Sequence, residues 1–270
     1  MVLSGNTLYG TTPFGGSWGN GTVFAVNTDG TGFTNLHSFT AVPPYPGPST
    51  NSDGGAPFAR LILGSNALYG TAARGGSSGN GTVFALNTDG TGFTNLHSFT
   101  ALLSSTNGDG ASPEAGLIVS GNTLYGTAPS GGSSGRGTVF AINTDGSGFT
   151  NLHSLAGGDG SGPYAGLLLS GNALYGTAVG GGIAGGSGTV FSLSFRPQLT
   201  ITPSGTNVVL SWPASVAGFS YSAFFLQETK DLLSPNGWAV ADPFPPIIVN
   251  GNYQVTRPML GPQISYRLSR

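Results

Sequence analysis

The residues that could support chemistry recur at matching places along the chain. Histidine occurs three times, each time inside the tetrapeptide Asn-Leu-His-Ser, as His37, His97 and His153. Imidazole is a common ligand for metals, so a cluster of histidines would indicate a metal site. These three are 60 and 56 residues apart, and equivalent positions of a radial repeat stay far from one another. We therefore expect structural histidines that hydrogen-bond between repeats, and no metal site.

Aspartate recurs in two settings. One group precedes Gly-x-x-Pro and consists of Asp53, Asp109 and Asp159. We expect these carboxylates to cap the following connection by accepting bonds from backbone N–H groups. The second group lies in Asn-Thr-Asp-Gly turns and consists of Asp29, Asp89 and Asp145. One carboxylate per turn is too few for calcium, and no pair is unique to one place, as a glycosidase acid and base would be.

Three glycine-rich segments match the Gly-x-Ser-x-Gly pattern of serine hydrolases, at residues 15–19, 75–79 and 131–135. A hydrolase nucleophile sits on a turn that a strand enters and a helix leaves. Here each segment is followed by Gly-Thr-Val-Phe, which is typical of a strand. The sequence therefore predicts loops without a nucleophile.

These residues belong to a repeat of about 50 to 60 residues. Leu-Tyr-Gly-Thr occurs four times, beginning at Leu8, Leu68, Leu124 and Leu174. In the third copy, residues 115–119, 123–128, 138–143 and 149–155 are each predicted to form a strand, with tight turns and a glycine-rich loop between them. Four antiparallel strands per repeat, with no helices, indicate a blade of a β-propeller.

The blade interpretation places the loops. The turns after the first and third strands lie at one end, and the glycine-rich loop and the inter-blade connection lie at the other. From histidine to the following aspartate the connection is 16, 12 and then 6 residues long. Variable loops on a constant scaffold favour recognition, so we expect binding on the face that carries the connections.

Composition supports the same class and excludes others. Charged residues make up 7% of the chain, with 48 glycines, 18 prolines and no cysteine among 270 residues. Long helices and coiled coils are excluded, as are disulfides and thiolate catalysis. A net charge of −2 gives no basic surface that would bind the phosphate backbone of nucleic acid. No apolar run is long enough to cross a bilayer.

The repeat resembles the GloVer tandem repeat of bacterial extracellular proteins. The resemblance is carried by residues 109–117, 124–127, 131–132, 137–140 and 152–154, and it covers residues 1–195. It implies a secreted or surface protein without an established activity, often with an anchoring signal. No such signal follows Arg270, and the first unit lacks the preceding Asp-Gly-x-x-Pro, so we expect a shortened chain. Arg60 stands where later units have Gly116 and Gly166. The strand pattern is also similar to quinoprotein-type blades, which bears on the fold alone.

Residues 196–270 have a different composition and are predicted to form a second domain. Six or seven short strands indicate a small β-sandwich, and Val209-Leu210-Ser211-Trp212 resembles a strand of fibronectin type III or immunoglobulin-like modules. A generic β cap on the propeller is the alternative. The expected fold is thus all-β: a four-unit β-propeller-type domain over 1–195, as a closed ring, an open arc or part of a larger ring, and then a sandwich.

We expect a non-catalytic extracellular or cell-surface module that binds a surface glycan or protein, with no cofactor. The residues that break the repeat on the variable face are the candidate contacts: Trp18, Tyr45, Arg74 and Arg136. Aromatic and arginine side chains suit such contacts. Two alternatives stay open. One is a structural surface spacer without a ligand, and the other is a carbohydrate-active propeller with catalytic groups on the variable loops.

Overall fold

The structure is a computed structural model, and it describes residues 1–43, 49–64, 66–183, 186–216, 218–230, 232, 237–241, 246–259 and 264–270. Every regular element among them is a β-strand, so the fold is all-β, as predicted. The chain divides into two compact units, Met1–Leu193 and Ser194–Arg270. No helix in the described part of the chain is long and apolar enough to span a membrane.

The first unit contains four sheets of β-propeller type, each built from consecutive antiparallel strands. The first sheet consists of β1 (Val2–Ser4), β2 (Thr7–Thr12), β3 (Thr22–Asn27) and β4 (Thr34–Ser38). The second consists of β5 (Ile62–Leu63), β6 (Ala67–Ala72), β7 (Thr82–Asn87) and β8 (Thr94–Ser98). The third consists of β9 (Ile118–Ser120), β10 (Thr123–Ala128), β11 (Thr138–Asn143) and β12 (Thr150–Ser154). The fourth has three strands, β13 (Leu168–Ser170), β14 (Ala173–Ala178) and β15 (Thr189–Ser194).

The repeated glycines are explained by close approaches between strands. A Cβ on Gly126 of β10 would lie 2.5 Å from Cζ of Phe140 on β11, so only glycine lets that ring cross the neighbouring strand. Gly81 has a φ of +98°, and a Cβ there would lie 2.6 Å from Cδ of Pro113. The glycine of Gly-Thr-Val-Phe in one unit and the proline of Asp-Gly-x-x-Pro in the next are therefore paired parts of one inter-blade contact.

Apolar side chains pack between successive sheets. Between the first and second sheets the core contains Tyr9, Val23, Phe39, Leu61, Leu68, Phe84 and Leu86. Between the second and third it contains Tyr69, Val83, Phe99, Leu117, Leu124, Phe140 and Ile142. One face of each sheet thus meets the opposite face of the next, which is how blades of a propeller pack.

The four sheets do not close on themselves. Val190 on β15 is 82% exposed, whereas its counterparts Val83 and Val139 are 0% exposed. At the other end, Phe33 before β4 is 67% exposed. Of the three arrangements expected from the sequence, the closed four-bladed ring is therefore wrong for this chain.

The loops lie at the two ends that the sequence predicted. At one end, Thr28 in the turn between β3 and β4 donates its N–H to the Asn6 carbonyl in the turn between β1 and β2, at 2.9 Å. At the other end, Asn51 of the first connection donates its N–H to the Gly76 carbonyl of a glycine-rich loop, at 3.2 Å. The connections and the glycine-rich loops therefore share one face of the first unit, which we call the loop face.

In the third sheet the second and third strands match the predicted bounds, and the fourth, predicted over 149–155, is one residue shorter at each end. The first strand differs more. The predicted run 115–119 forms a ladder only from Ile118. Ala115 instead accepts a hydrogen bond at its carbonyl from Thr71 Oγ1 of the previous sheet, at 3.0 Å, and Leu117 is buried between sheets. The start of this run is therefore used to join two sheets.

The second unit contains β16 (Thr200–Ser204), β17 (Asn207–Pro213), β18 (Ser215–Val216), β19 (Phe219–Ser220), β20 (Phe225–Thr229), β21 (Ala239–Val240), β22 (Ile247–Val249), β23 (Asn252–Pro258) and β24 (Ser265–Ser269). These strands form a four-stranded sheet in the order β16-β17-β23-β22, a three-stranded sheet in the order β21-β20-β24, and the hairpin β18-β19. Trp212 and Tyr221 are its largest fully buried side chains.

Candidate functional site

Each repeated histidine is paired with the aspartate of the connection that follows it. His37 lies at the end of β4, and its Nε2 is 3.0 Å from Oδ2 of Asp53. Thr40 donates its N–H to the same oxygen at 3.0 Å and its hydroxyl to Oδ1. Both oxygens of the carboxylate are therefore engaged, by one imidazole, one amide and one hydroxyl, and this set of contacts fixes the connection to the end of β4.

The second unit repeats this cluster and the third simplifies it. His97 Nε2 is 2.9 Å from Oδ2 of Asp109, and Thr100 donates its amide at 2.9 Å and its hydroxyl at 2.5 Å. In the third unit His153 and Asp159 are 2.5 Å apart. The threonine is replaced by Ala156, which donates only its amide, at 2.7 Å.

The first two histidines are also covered by a ring of the next unit. His37 stacks on Phe93 with 3.9 Å between ring centroids and 11° between planes. His97 stacks on Phe149 at 3.7 Å and 9°. These contacts are consistent with the expected structural histidine that hydrogen-bonds between repeats, because Asp53 and Asp109 belong to the Asp-Gly-x-x-Pro segments that open the next unit. The ring stack reaches the same neighbouring unit.

The pKa values of the paired aspartates reflect these contacts. Burial alone would raise the pKa of the Asp53 carboxyl, but the hydrogen bonds from His37 and Thr40 outweigh burial and hold that pKa below its ordinary value. The pKa of Asp109 is lowered against burial in the same way, by His97 and Thr100. The prediction that these aspartates cap backbone N–H groups is consistent with the amide donors at Thr40 and Thr100.

This arrangement lacks the geometry of a nucleophilic triad. In a triad the hydroxyl is bonded to the imidazole, which takes up its proton. Here the Thr40 hydroxyl donates to the aspartate, and Nε2 of His37 is taken up by the same carboxylate. The serines of the three glycine-rich loops are each followed by a strand and not a helix. Within the described residues there is no group of three or more residues of the types His, Cys, Asp and Glu that could hold a metal.

An asparagine two residues before each of the first two aspartates completes the cluster. Asn51 Oδ1 accepts the N–H groups of Gly54 and Gly76, both at 2.9 Å. Its Nδ2 donates to the carbonyls of Thr40 and Gly54 at 3.1 and 2.7 Å. Asn107 makes the same contacts in the second connection. Our reading of the sequence missed this residue, although its spacing from the aspartate is the same in both copies.

Of the four residues predicted to contact a ligand, the three that the structure describes lie in three different glycine-rich loops. Trp18 is 62% exposed in the first glycine-rich loop. Arg74 is exposed in the second loop, and its backbone forms a bridge with Gly55. Arg136 is exposed in the third loop and lies over Gly157, where a Cβ would be 3.1 Å from its Nε. Tyr45 lies outside the described residues.

Arg74 instead shares a small cavity with residues of the first loop. The cavity has a volume of about 130 Å³ and is lined by Pro13, Phe14, Gly19, Asn20, Gly55, Ala56 and Arg74. Phe14 is 62% exposed and Phe58 is 45% exposed, and their rings meet edge to face at 6.2 Å. We call Phe14, Phe58 and Arg74, together with Trp18, which directly precedes the cavity residue Gly19 in the chain, the loop-face patch. Our prediction missed Phe14 and Phe58, although both break the repeat, with Arg74 and Glu114 at the equivalent positions of the next unit.

Several solved structures are similar to the chain. A chain of the nidogen/laminin complex is 14% identical, with a TM-score of 0.44, covering 77% of this chain and 67% of that one. TolB from Acinetobacter baumannii is 15% identical, with a TM-score of 0.38, covering 74% of this chain and 47% of that one. A TolB-like protein from Agrobacterium tumefaciens is 10% identical, with a TM-score of 0.40, covering 95% and 72%. These similarities are too weak to bear on function, and the fold is established by the strand pairing of the chain itself.

Comparison with curated proteins gives no match. At the level of sequence families, the profile of the Gloeobacter/Verrucomicrobia repeat matches residues 47–223. That range is well over half of the chain and takes in the second, third and fourth sheets with their connections. The chain therefore belongs to the Gloeobacter/Verrucomicrobia repeat family.

Proposed function

We propose that the chain is a non-catalytic binding module of a bacterial surface or secreted protein, and that it contacts a surface glycan or protein through the loop-face patch. The observation that supports this proposal is the exposure of Phe14, which lines the cavity with Arg74, and of Phe58, whose ring contacts Phe14. Trp18, which directly precedes the cavity residue Gly19 in the chain, is exposed as well. Exposed aromatic groups of this kind mark interaction surfaces more often than scattered apolar residues do. Aromatic faces and a guanidinium also match the apolar faces and hydroxyl groups of a sugar ring.

The His–Asp clusters serve this function by holding the loops. Asp53 ties the first connection to β4, and Asn51 ties the same connection to the second glycine-rich loop. Gly55 and Ala56, a few residues further along, line the cavity. The clusters thereby keep the backbone of the cavity in place, which lowers the entropic cost of binding.

The absence of catalysis is part of the proposal. A glycosidase needs an acid and a base on opposite sides of the scissile bond, and no carboxylate is among the residues that line the cavity. The nearby carboxylate of Asp53 is engaged by His37 and Thr40. A polysaccharide turnover screen between about pH 5 and 8 should give no product, and a product that disappears on Arg74→Ala would establish the enzyme alternative.

A glycan array tests the binding proposal. The full chain should bind a subset of glycans, and Trp18→Ala or Phe58→Ala should remove binding. Tyr164→Ala is the matched control, because Tyr164 stands at the position of Phe58 two units further on and is 47% exposed. Retained binding in Trp18→Ala and Phe58→Ala would place the contact elsewhere. No hit on the array, together with no protein captured by cross-linking, would favour the structural spacer.

For the second unit, we propose a small β-sandwich similar to fibronectin type III or immunoglobulin-like modules. Its four-stranded and three-stranded sheets contribute buried Trp212 and Leu226, respectively, as the facing layers of a sandwich would. Nuclear Overhauser contacts between the side-chain protons of Trp212 and Leu226, measured in isotope-labelled protein, would test whether the two sheets face each other.

A further inference from the structure

Among the described residues, the fourth sheet of the first unit has three strands, one fewer than each of its three sister sheets. In each sister the third strand pairs with a fourth: β3 with β4, β7 with β8 and β11 with β12. The fourth sheet ends at β15, and no described strand pairs with the outer edge of β15. A strand edge without a pairing partner is a template for the addition of another strand.

The sister sheets define what fits this edge. All three fourth strands have the sequence Thr-Asn-Leu-His-Ser and are preceded by phenylalanine. In the third sheet Val139 pairs with His153 and Phe140 with Asn151, with a bulge between them. The equivalent residues of β15 are Val190 and Phe191. A strand with this sequence would therefore place its histidine opposite Val190.

A second, independent feature points to the same missing strand. In the sister sheets the phenylalanine before the fourth strand covers the histidine of the preceding unit. His153 precedes the fourth sheet, and no ring of a described residue stacks on it. The side chains of His153 and Asp159 are 36% and 37% exposed, against 19% and 9% for His97 and Asp109. The His–Asp cluster of the third unit is thus uncovered where the absent phenylalanine would lie.

The asparagine of the fourth strand supplies a third contact. Asn95 Nδ2 donates to the Ser52 carbonyl at 2.9 Å, and Asn151 Nδ2 donates to the Gly108 carbonyl at 2.8 Å. Each acceptor directly precedes the aspartate of a cluster. In the third connection the equivalent acceptor is Gly158, next to Asp159. An added strand would therefore bind both β15 and the connection beside it.

From these contacts we propose that the outer edge of β15 is a binding site for an extended peptide strand of the type Phe-Thr-Asn-Leu-His-Ser, supplied by a separate polypeptide segment. The strand runs antiparallel to β15, stacks its phenylalanine on His153 and donates its asparagine amide to the Gly158 carbonyl. Main-chain hydrogen bonds supply affinity, and the phenylalanine and asparagine supply specificity. The site is separate from the loop-face patch.

The sequence of β15 carries no charged residue or proline that would hinder strand addition. Natural edge strands are protected by lysine, by other charged groups or by proline. The sequence of β15, Thr-Val-Phe-Ser-Leu-Ser, contains none of these. Such an edge binds a complementary strand readily.

A peptide titration followed by NMR tests the proposal. A synthetic peptide with the sequence of residues 148–156 is added to the full chain, in which only the protein histidines carry isotope labels. We expect saturable binding with an upfield shift of the His153 ring protons, caused by the phenylalanine ring. The His37 and His97 signals should not move, because both rings are already stacked. His153→Gln assigns the signal.

Two peptide variants and one protein variant make the test specific. Phenylalanine to alanine in the peptide should weaken binding about three- to tenfold, and a scrambled peptide should not bind. In His153→Ala the same peptide substitution should have little effect, which completes a double-mutant cycle. Absence of any shift at millimolar peptide would overturn the proposal, as would an equal shift of all three histidines or equal binding of the scrambled peptide.

Discussion

At the scale of residues, the aspartate is the centre of each repeated cluster. Asp109 accepts hydrogen bonds from His97 and from both the amide and hydroxyl of Thr100. Its carboxylate is almost fully buried, so each lost donor leaves a charged group less well compensated. Hydrogen bonds to charged groups contribute about 1.5–3 kcal/mol each. The histidine adds to this by stacking on Phe149.

We therefore expect His97→Ala to lower the free energy of unfolding by about 2–3 kcal/mol. His153→Ala should cost less than about 1 kcal/mol, because its pair is more exposed and its ring is not stacked. Urea unfolding of the full chain, followed by circular dichroism, measures both. Equal losses in the two variants would show that burial and stacking of the histidine do not decide its contribution.

The lowered pKa values of the paired aspartates predict a loss of stability in acid. A carboxyl whose pKa is lower in the folded than in the unfolded state stabilises the fold above its unfolded pKa of about 3.9. That contribution is lost as pH falls through the lower, folded value. The contribution of the paired aspartates to the free energy of unfolding should therefore be constant from neutral pH to about 5 and fall below about 4.

Asp109→Asn should remove part of this pH dependence, since the hydrogen bonds from His97 and Thr100 hold the pKa of Asp109 below its ordinary value against the effect of burial. Asp89→Asn is the control. Asp89 also has a lowered pKa, from its hydrogen bonds to Thr91, but it lies on an exposed turn. We therefore expect Asp89→Asn to change the free energy of unfolding at acid pH very little. An equal loss of the free energy of unfolding below about pH 4 in wild type and Asp109→Asn would show that Asp109 does not contribute to the pH dependence. Urea titrations at stepped pH values give the comparison.

The sequence predicted both members of each pair and missed that they are partners. The histidines were assigned to a structural role and the aspartates to capping, and both roles are consistent with the contacts found. The distance between them along the chain changes from 16 to 12 to 6 residues. A contact that spans a connection of variable length has no fixed spacing, so pattern analysis does not detect it. Their joint recurrence in three units was the available signal.

At the scale of elements, the repeated glycine of Leu-Tyr-Gly-Thr sets the distance between the second and third strands. Gly126→Ala would place a Cβ 2.5 Å from Cζ of Phe140, whose ring is fully buried. We expect a loss of about 1–3 kcal/mol in the free energy of unfolding, from overpacking. Gly108→Ala is the control, because nothing lies within 4 Å of its Cβ position. Thermal unfolding of both variants checks this, and equal midpoints would count against the close approach.

Second and third strands were predicted to the residue because their signals are local. Residues 123–128 and 138–143 combine β-branched and aromatic side chains with glycine turns. The first strand was predicted three residues too early. Its opening residues are apolar because they pack between sheets, with Ala115 bonded to Thr71. Apolar residues have the same composition whether they pair in a β-ladder or pack between two sheets. Composition alone therefore does not distinguish the two cases.

At the scale of the whole molecule, closure of the repeat region depends on whether the end faces meet. The sequence left a closed ring and an open arc as alternatives, because four blades are enough to close. The decisive facts are the exposures of Val190 and Phe33, at 82% and 67%. Both depend on curvature accumulated over all the sheets. No short sequence pattern specifies this accumulated curvature, so the sequence alone did not distinguish a closed ring from an open arc.

The two compact units should fold independently. The cores between the first three sheets use only residues before 150, and the buried Trp212, Tyr221 and Leu226 belong to the second unit. A chain that ends at Phe195 should therefore keep the ring-proton signals of His37 and His97 at their native positions, and its urea midpoint should match the repeat transition of the full chain. Trp18 is the single tryptophan left in such a chain, and because it is exposed its fluorescence should change little on unfolding. Collapse of the histidine signals to their unfolded positions would show that the repeat region needs the second unit in order to fold.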